Sequence, residues 1–312
     1  MKPWHVVYGT ILTGLVAGGV IASAMNSSLL SNQMITGFSD TFEYVLPILL
    51  GTIVLFSGIE RILPAAGPRK PIKGYVLNIQ VTLLNFSAAA LSAGVVGAFT
   101  VALGSRLGLG WIDLRFSTGH GFGSLILVFL LSQLIADFFY YWMHRFQHES
   151  PLLWQEHKLH HMDEQLCALI REHPLEPVLE TMAITIPMAI VFKLDPIEGT
   201  IISYIPVVWG VFIHSNIRVN FGWASAFFTS PQVHRIHHSR MPEHHDKNYA
   251  PVFSFWDVIF GTYHRPKRDE YPLTGVYDER EVENFTAAAI LPFREWWKML
   301  REWHSGHARR IT

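Results

Sequence analysis

His144 and His148, then His157, His160 and His161, then His234, His237 and His238 form three clusters with the spacings H-x3-H, H-x2-H-H and H-x2-H-H. On a helix, residues three and four apart share a face, so each cluster points its imidazoles one way. Neutral imidazole is a good ligand for divalent transition metals such as iron. Eight converging ligands exceed what a four-coordinate ion uses, so two ions are the simpler reading. The competing reading is chance clustering, in a chain with 17 histidines among 312 residues. Regular spacing beside membrane-like segments favours metal.

The elements that must position these side chains look like membrane helices. Half of the residues are hydrophobic and only 16% are charged, against about 25% in soluble domains. The net charge is −1 and no basic tract marks nucleic acid as a partner. Cys167 is the single cysteine, which excludes an intrachain disulfide and any metal site built from four cysteines. Val6 to Ala24 is uncharged and nearly long enough to span, since about 20 apolar residues cross a bilayer core. A retained helix is favoured there over a signal peptide, for which Ala22-Ser23-Ala24 would be the cleavage site. Further spans are expected from about Phe42 to Leu63, Ile79 to Leu103, and Gly123 to Tyr141.

Orientation follows from the loops. Asn26 to Thr41 has no Lys or Arg, whereas Arg61, Arg69, Lys70 and Lys73 crowd the next loop, and only Arg106 and Arg115 lie in the third. The positive-inside rule places 61–73 in the cytoplasm, and the histidine clusters with it. Residues 178–192 and 201–213 are apolar but short, with Pro187, Pro196 and Pro206 in or between them. A re-entrant hairpin, two short spans and core helices beneath the metal site all fit. The tail mixes Trp296, Trp297 and Trp303 with Lys298, Arg301, Arg309 and Arg310, as in a helix at the lipid interface or a solvated terminal helix. The fold expected is an all-α integral membrane bundle of about four transmembrane helices with a cytoplasmic, histidine-rich metal-binding cap. Its parts are N-terminal spans (1–122), a di-metal catalytic region (123–265) and a cytoplasmic or interfacial tail (266–312).

Asp137, Tyr141, His144 and His148 fall on one helical stripe. A carboxyl in an apolar span is costly, so Asp137 either fixes a ligand imidazole or makes a helix–helix hydrogen bond. Pro151 breaks the helix between the first two clusters and brings them close. His214 ends an apolar run and is a plausible ninth ligand; His173 is a candidate supporting group. His244 and His245 read as a chance pair, and His5, His120, His264, His304 and His307 as ordinary.

Several stretches together resemble the fatty acid hydroxylase superfamily, which includes sterol desaturases, sterol C4-methyl oxidases and alkylglycerol monooxygenase. They are Asp137-Phe-Phe-Tyr-Tyr-Trp-Met-His-Arg-Phe-Gln-His148, Leu153-Trp-Gln-Glu-His-Lys-Leu-His-His161 and Arg171-Glu-His-Pro-Leu-Glu176. They continue in His214-Ser-Asn216, Pro231-Gln-Val-His-Arg-Ile-His-His-Ser239, Asp246-Lys-Asn-Tyr-Ala250 and Phe255-Trp-Asp-Val-Ile-Phe-Gly-Thr262. The resemblance spans about residues 130–265. It implies a membrane enzyme with two iron ions that uses O2 and two external electrons to hydroxylate or desaturate a lipid C–H bond. Its ligands would be the eight clustered histidines with His214. His148-Glu149 is similar to alkylglycerol monooxygenase, which makes Glu149 a candidate catalytic acid beside Asp137. The final apolar stretch of that larger enzyme has no evident counterpart here, so its ether-lipid substrate does not transfer.

Breaking an unactivated C–H bond needs a redox-active metal, although zinc can occupy such a site in purified protein. No G-x-G-x-x-G fingerprint or ferredoxin cysteine pattern occurs, so the electrons are expected from a separate reductase, ferredoxin or cytochrome b5-like donor. A metal-dependent hydrolase is the weaker alternative, since H-E-x-x-H is absent. A metal transporter or sensor is the other, and a transporter would place its ligands near the bilayer midplane.

Overall fold

The computed structural model describes residues 39–67, 70–113, 122–193 and 196–304. The expected first span, Val6 to Ala24, lies outside them. Among the described residues, three helices are long and apolar enough to cross a membrane, over Thr41–Ile62, Ile72–Thr100 and Ile126–Glu149. The first is α1 (Leu46–Ile62), preceded by one wider turn, Thr41–Val45. Pro47 lacks the N–H that would bond back four residues, and the chain takes its wider turn just before it. Next comes α2 (Ile72–Leu107), ended by Gly108 in the left-handed conformation. The 28 residues of α3 (Phe122–Glu149) make about 42 Å of helix against a core of about 30 Å, so its last turns outrun the apolar layer. Those turns carry His144 and His148.

Two short helices carry the remaining clusters, and both open with the same Ser-Pro device. Ser150 caps α4 (Pro151–His161) by accepting from the Leu153 N–H, and Ser230 caps α7 (Pro231–His237) by accepting from the Val233 N–H. The following proline sits where a missing N–H costs nothing. Between them α5 (Glu176–Val191) and α6 (Pro196–His214) form a hairpin. Its tip, β2 (Phe192–Lys193), pairs in parallel with β1 (Ile112–Asp113), just past the end of α2. Gly110 has φ +82°, and a Cβ there would lie 2.5 Å from Lys193 Cγ, so only glycine admits this contact. Of the alternatives for 178–213, the structure shows two helices that run the depth of the bundle, packed on α2 and α3 and on α1.

The cap closes the opposite end. α8 (Phe255–Phe260) packs its aromatic rings on Tyr141 of α3. α9 (Phe285–His304) lies on α4 and the start of α2, around Leu77, Val81, Leu159, Met162 and Leu291. Residues 163–170 are laced to the spans. Lys70 and Asp163 form a buried ion pair, Asn78 donates to Asp163 and to the Leu169 carbonyl, and Glu60 accepts from the Ala168 and Asn216 N–H groups. The basic loop and the histidine cap therefore share one end of the bundle.

Candidate metal centre

Nine histidines meet where α3 ends, and they sort into two groups. One holds His144, His148, His157, His161 and His237, the other His160, His214, His234 and His238, with ligand atoms within 4.8 Å of one another in each group. Helix register decides the sorting. On α4 the i, i+4 pair His157 and His161 joins the first group while His160 turns to the second; on α7 His234 and His238 join the second and His237 the first. Each ring is held near others of its group, with Nε2 atoms 3.1 Å apart between His144 and His157 and between His157 and His161. In the second group the Nε2 contacts are 3.0 Å (His160 to His214), 2.8 Å (His214 to His234) and 3.0 Å (His234 to His238).

Tautomers test whether metal fits these contacts. The Nδ1–H of His160 donates to the Arg171 carbonyl and that of His214 to the Gly210 carbonyl. A carbonyl can only accept, so both rings turn a bare Nε2 lone pair to the other. Two buried lone pairs at 3.0 Å repel unless a cation lies between them. The same holds on the other side, where the Nδ1–H groups of His144 and His237 donate to the Tyr249 and Lys247 carbonyls. The Nε2 atoms of His148 and His237 are buried without a protein partner. Burial holds His157, His160, His161, His234, His237 and His238 well below the ordinary imidazole range, so they are neutral, the state that ligates. The residues fit two divalent transition-metal ions, one per group.

The acids are arranged differently from expectation. Asp137 touches no imidazole; its two oxygens accept the Val252 and Phe253 N–H groups, both at 3.1 Å. Glu149 pairs with Arg145 at 2.8 Å, half-buried and without a hydrogen bond to a ligand. The carboxylate on a ligand is Glu176, whose Oε1 meets His157 Nδ1, while Glu172 stands 3.7 Å from His160 Nδ1 and Asp246 3.9 Å from His148 Nδ1. Burial, then the charges of Glu156, Glu172 and Glu180, pushes the Glu176 carboxyl well above its usual range. An ion on the far nitrogen of His157 would oppose that push, leaving a carboxylate to accept a hydrogen bond from the Nδ1–H. His173 brackets α9 instead, with Nε2 on the Ala289 carbonyl. The segment 246–250, after α7, has no ligand of its own in either group. It supplies the Lys247 and Tyr249 carbonyls, braced by Asp257, which accepts from the Tyr249 and Ala250 N–H groups.

Comparison with known proteins draws attention to the same stretch of chain. The fatty acid hydroxylase family model matches residues 129–262, the stretch that contains all nine histidines. An ornithine lipid hydroxylase of Rhizobium tropici is 25% identical over 78% of this chain and 74% of its own length. Human alkylglycerol monooxygenase is 33% identical over 41% of this chain, and a Delta(7)-sterol 5(6)-desaturase of Gibberella zeae is 24% identical over 49%. The chain covers only 28% of the human enzyme and 47% of the fungal one. No solved structure matches. Over residues 129–262, less than half of the chain, this protein matches the fatty acid hydroxylase family.

Proposed function

We propose that this protein is a membrane oxygenase that hydroxylates, or desaturates, a C–H bond of a bilayer lipid with O2 and two electrons from an external protein donor. The observation that carries the reading is the pair of buried imidazole groups at the end of apolar helices, with bare lone pairs facing one another. Two iron ions held by the nine histidines would supply the redox chemistry that O2 and an unactivated C–H bond require. The chain's own residues do the rest. Carbonyls of Tyr249, Arg171, Gly210 and Lys247 fix which nitrogen is free in His144, His160, His214 and His237. Trp154 packs on His148 and His161, with ring centroids 5.1 and 5.3 Å away, and shields the first group from water. A lipid carbon would reach the site from the bilayer between the spans, and the basic loop favours a cap in the cytoplasm. Ligands gathered at one end of the bundle favour this over transport, for which a midplane site is expected.

The test is turnover of extracted membrane lipid by the purified full chain with Fe(II), a reductant and 18O2. A hydroxylated product should carry the label; a desaturated one should carry none, the label passing to water. Product formed at an undiminished rate without oxygen would show that the chemistry is not oxidative.

A further inference from the structure

Apart from the nine histidines, a second kind of donor set converges in the cap. His244 ends the short turn Pro242–His244 and is 2% exposed. His264 follows α8, and Glu270 lies in the loop beyond. The two oxygens of Glu270 divide between the two rings: Oε1 is 3.3 Å from His244 Nε2, and Oε2 is 3.3 Å from His264 Nε2. The ligand atoms of all three lie within 4.8 Å of one another.

These distances discriminate between two readings. A charge-assisted N–H···O bond closes to about 2.7–2.9 Å, so both 3.3 Å contacts are long for ion pairs. Two donors on one tetrahedral ion, each bonded at about 2.0–2.1 Å, stand about 3.3–3.4 Å apart. Here each Nε2 faces its own carboxylate oxygen, so one oxygen would turn toward the second ring on closing around an ion. The other nitrogen of His244, Nδ1, is buried with no hydrogen-bond partner. Meanwhile the other two donors are held in place. The His264 N–H donates to Asn248 Oδ1 at 2.8 Å, and Glu270 Oε2 accepts the Lys267 N–H at 2.9 Å. Burial raises the Glu270 pKa, but that N–H and the two imidazoles together outweigh it, leaving the carboxylate below its usual range and ionised.

We propose that His244, His264 and Glu270 form a third, mononuclear cation site for a zinc-class divalent ion, separate from the paired centre. Two imidazoles and one carboxylate suit such an ion, with a water in the remaining position. The site clips residues 241–248 onto residues 262–270. That loop carries Lys247, whose carbonyl sets His237, and Asp246, which stands beside His148. The ion is thus a structural fastener for a segment that orients ligands of the paired centre.

Zinc content of the full chain in detergent, after saturation with zinc and removal of excess, tests this. Wild type should exceed His264→Ala and Glu270→Gln by one ion per chain. A conservative ligand swap separates binding from folding: His264→Cys loaded with Co(II) should show sulfur-to-cobalt charge-transfer absorption. Equal zinc content in wild type and both variants, or a Co(II)-loaded His264→Cys protein without that absorption, would overturn the site. The count concerns residues that the paired centre does not use, so it stands or falls independently of the oxygenase reading.

Discussion

Among the carboxylates near the paired groups, Glu176 alone reaches a ligand ring within hydrogen-bond distance; the other rings with a held Nδ1 rest on neutral carbonyls. A carboxylate behind an imidazole raises its basicity as a ligand, and losing such a partner costs about 10–100-fold in metal affinity or activity. Glu176→Gln keeps an acceptor of the same shape and removes the charge. It should weaken metal binding by about that factor, read by competition with a chromophoric chelator. Affinity within twofold of wild type would mean that the charge does nothing. Glu149→Gln, which only releases Arg145, should leave affinity unchanged. The histidines were legible in the sequence because ligation demands a side-chain type and helices impose its spacing. The carbonyls that set their tautomers were not, since every residue has one. Asp137 and Glu149 draw attention through their neighbours in sequence, whereas Glu176 reaches His157 from another helix, 19 residues along the chain.

At the scale of elements, the segment 246–253 works as a bracket rather than a connection. Asp246 and Asn248 both take φ +58°, a conformation that Asx side chains tolerate, and the alternate carbonyls of Lys247 and Tyr249 turn toward the rings. Asp137 grips the far end of the bracket from within α3 by two backbone N–H groups. In Asp137→Asn the amide nitrogen faces one of those donors, leaving a buried N–H unpaired at a cost of about 1–3 kcal/mol. Chemical denaturation in detergent should show that loss, with both ions still bound and turnover reduced through the displaced Tyr249 carbonyl. An unchanged denaturation midpoint would leave Asp137 without this role. The starts of α4 and α7 were readable from Ser-Pro. The α5–α6 hairpin was not readable from length or proline content, because what decides its depth is the contact of its tip with residues 110–113.

Across the whole molecule, apolar side chains face outward along the spans, among them Val54, Leu55, Leu83, Leu91, Leu127 and Leu130. That is the surface a helix presents to lipid, where backbone groups are satisfied within the helix. Phe293, Trp297, Leu300 and Trp303 form an exposed apolar face on α9, as an interfacial helix would. The basic-residue asymmetry predicts the cap in the cytoplasm. Arg61 and Lys73 are exposed, but Lys70 is buried in its pair with Asp163 and is a poor reporter. Cysteine at 61 or 73 should resist a membrane-impermeant maleimide in intact cells and react after permeabilisation, while cysteine at the exposed position Trp111 should react in intact cells. The opposite pattern would invert the protein. Background from Cys167 is low, since burial pushes its thiol up to about 12.

The interleaving of the histidine boxes has a consequence for heredity. α4 and α7 each divide their three rings between the two groups. No contiguous stretch of gene therefore encodes one group, and deleting the cluster on α4 or the one on α7 strips rings from both groups at once. The cluster on α3, His144 and His148, belongs to the first group alone. A lineage that loses either interleaved motif loses rings at both positions together.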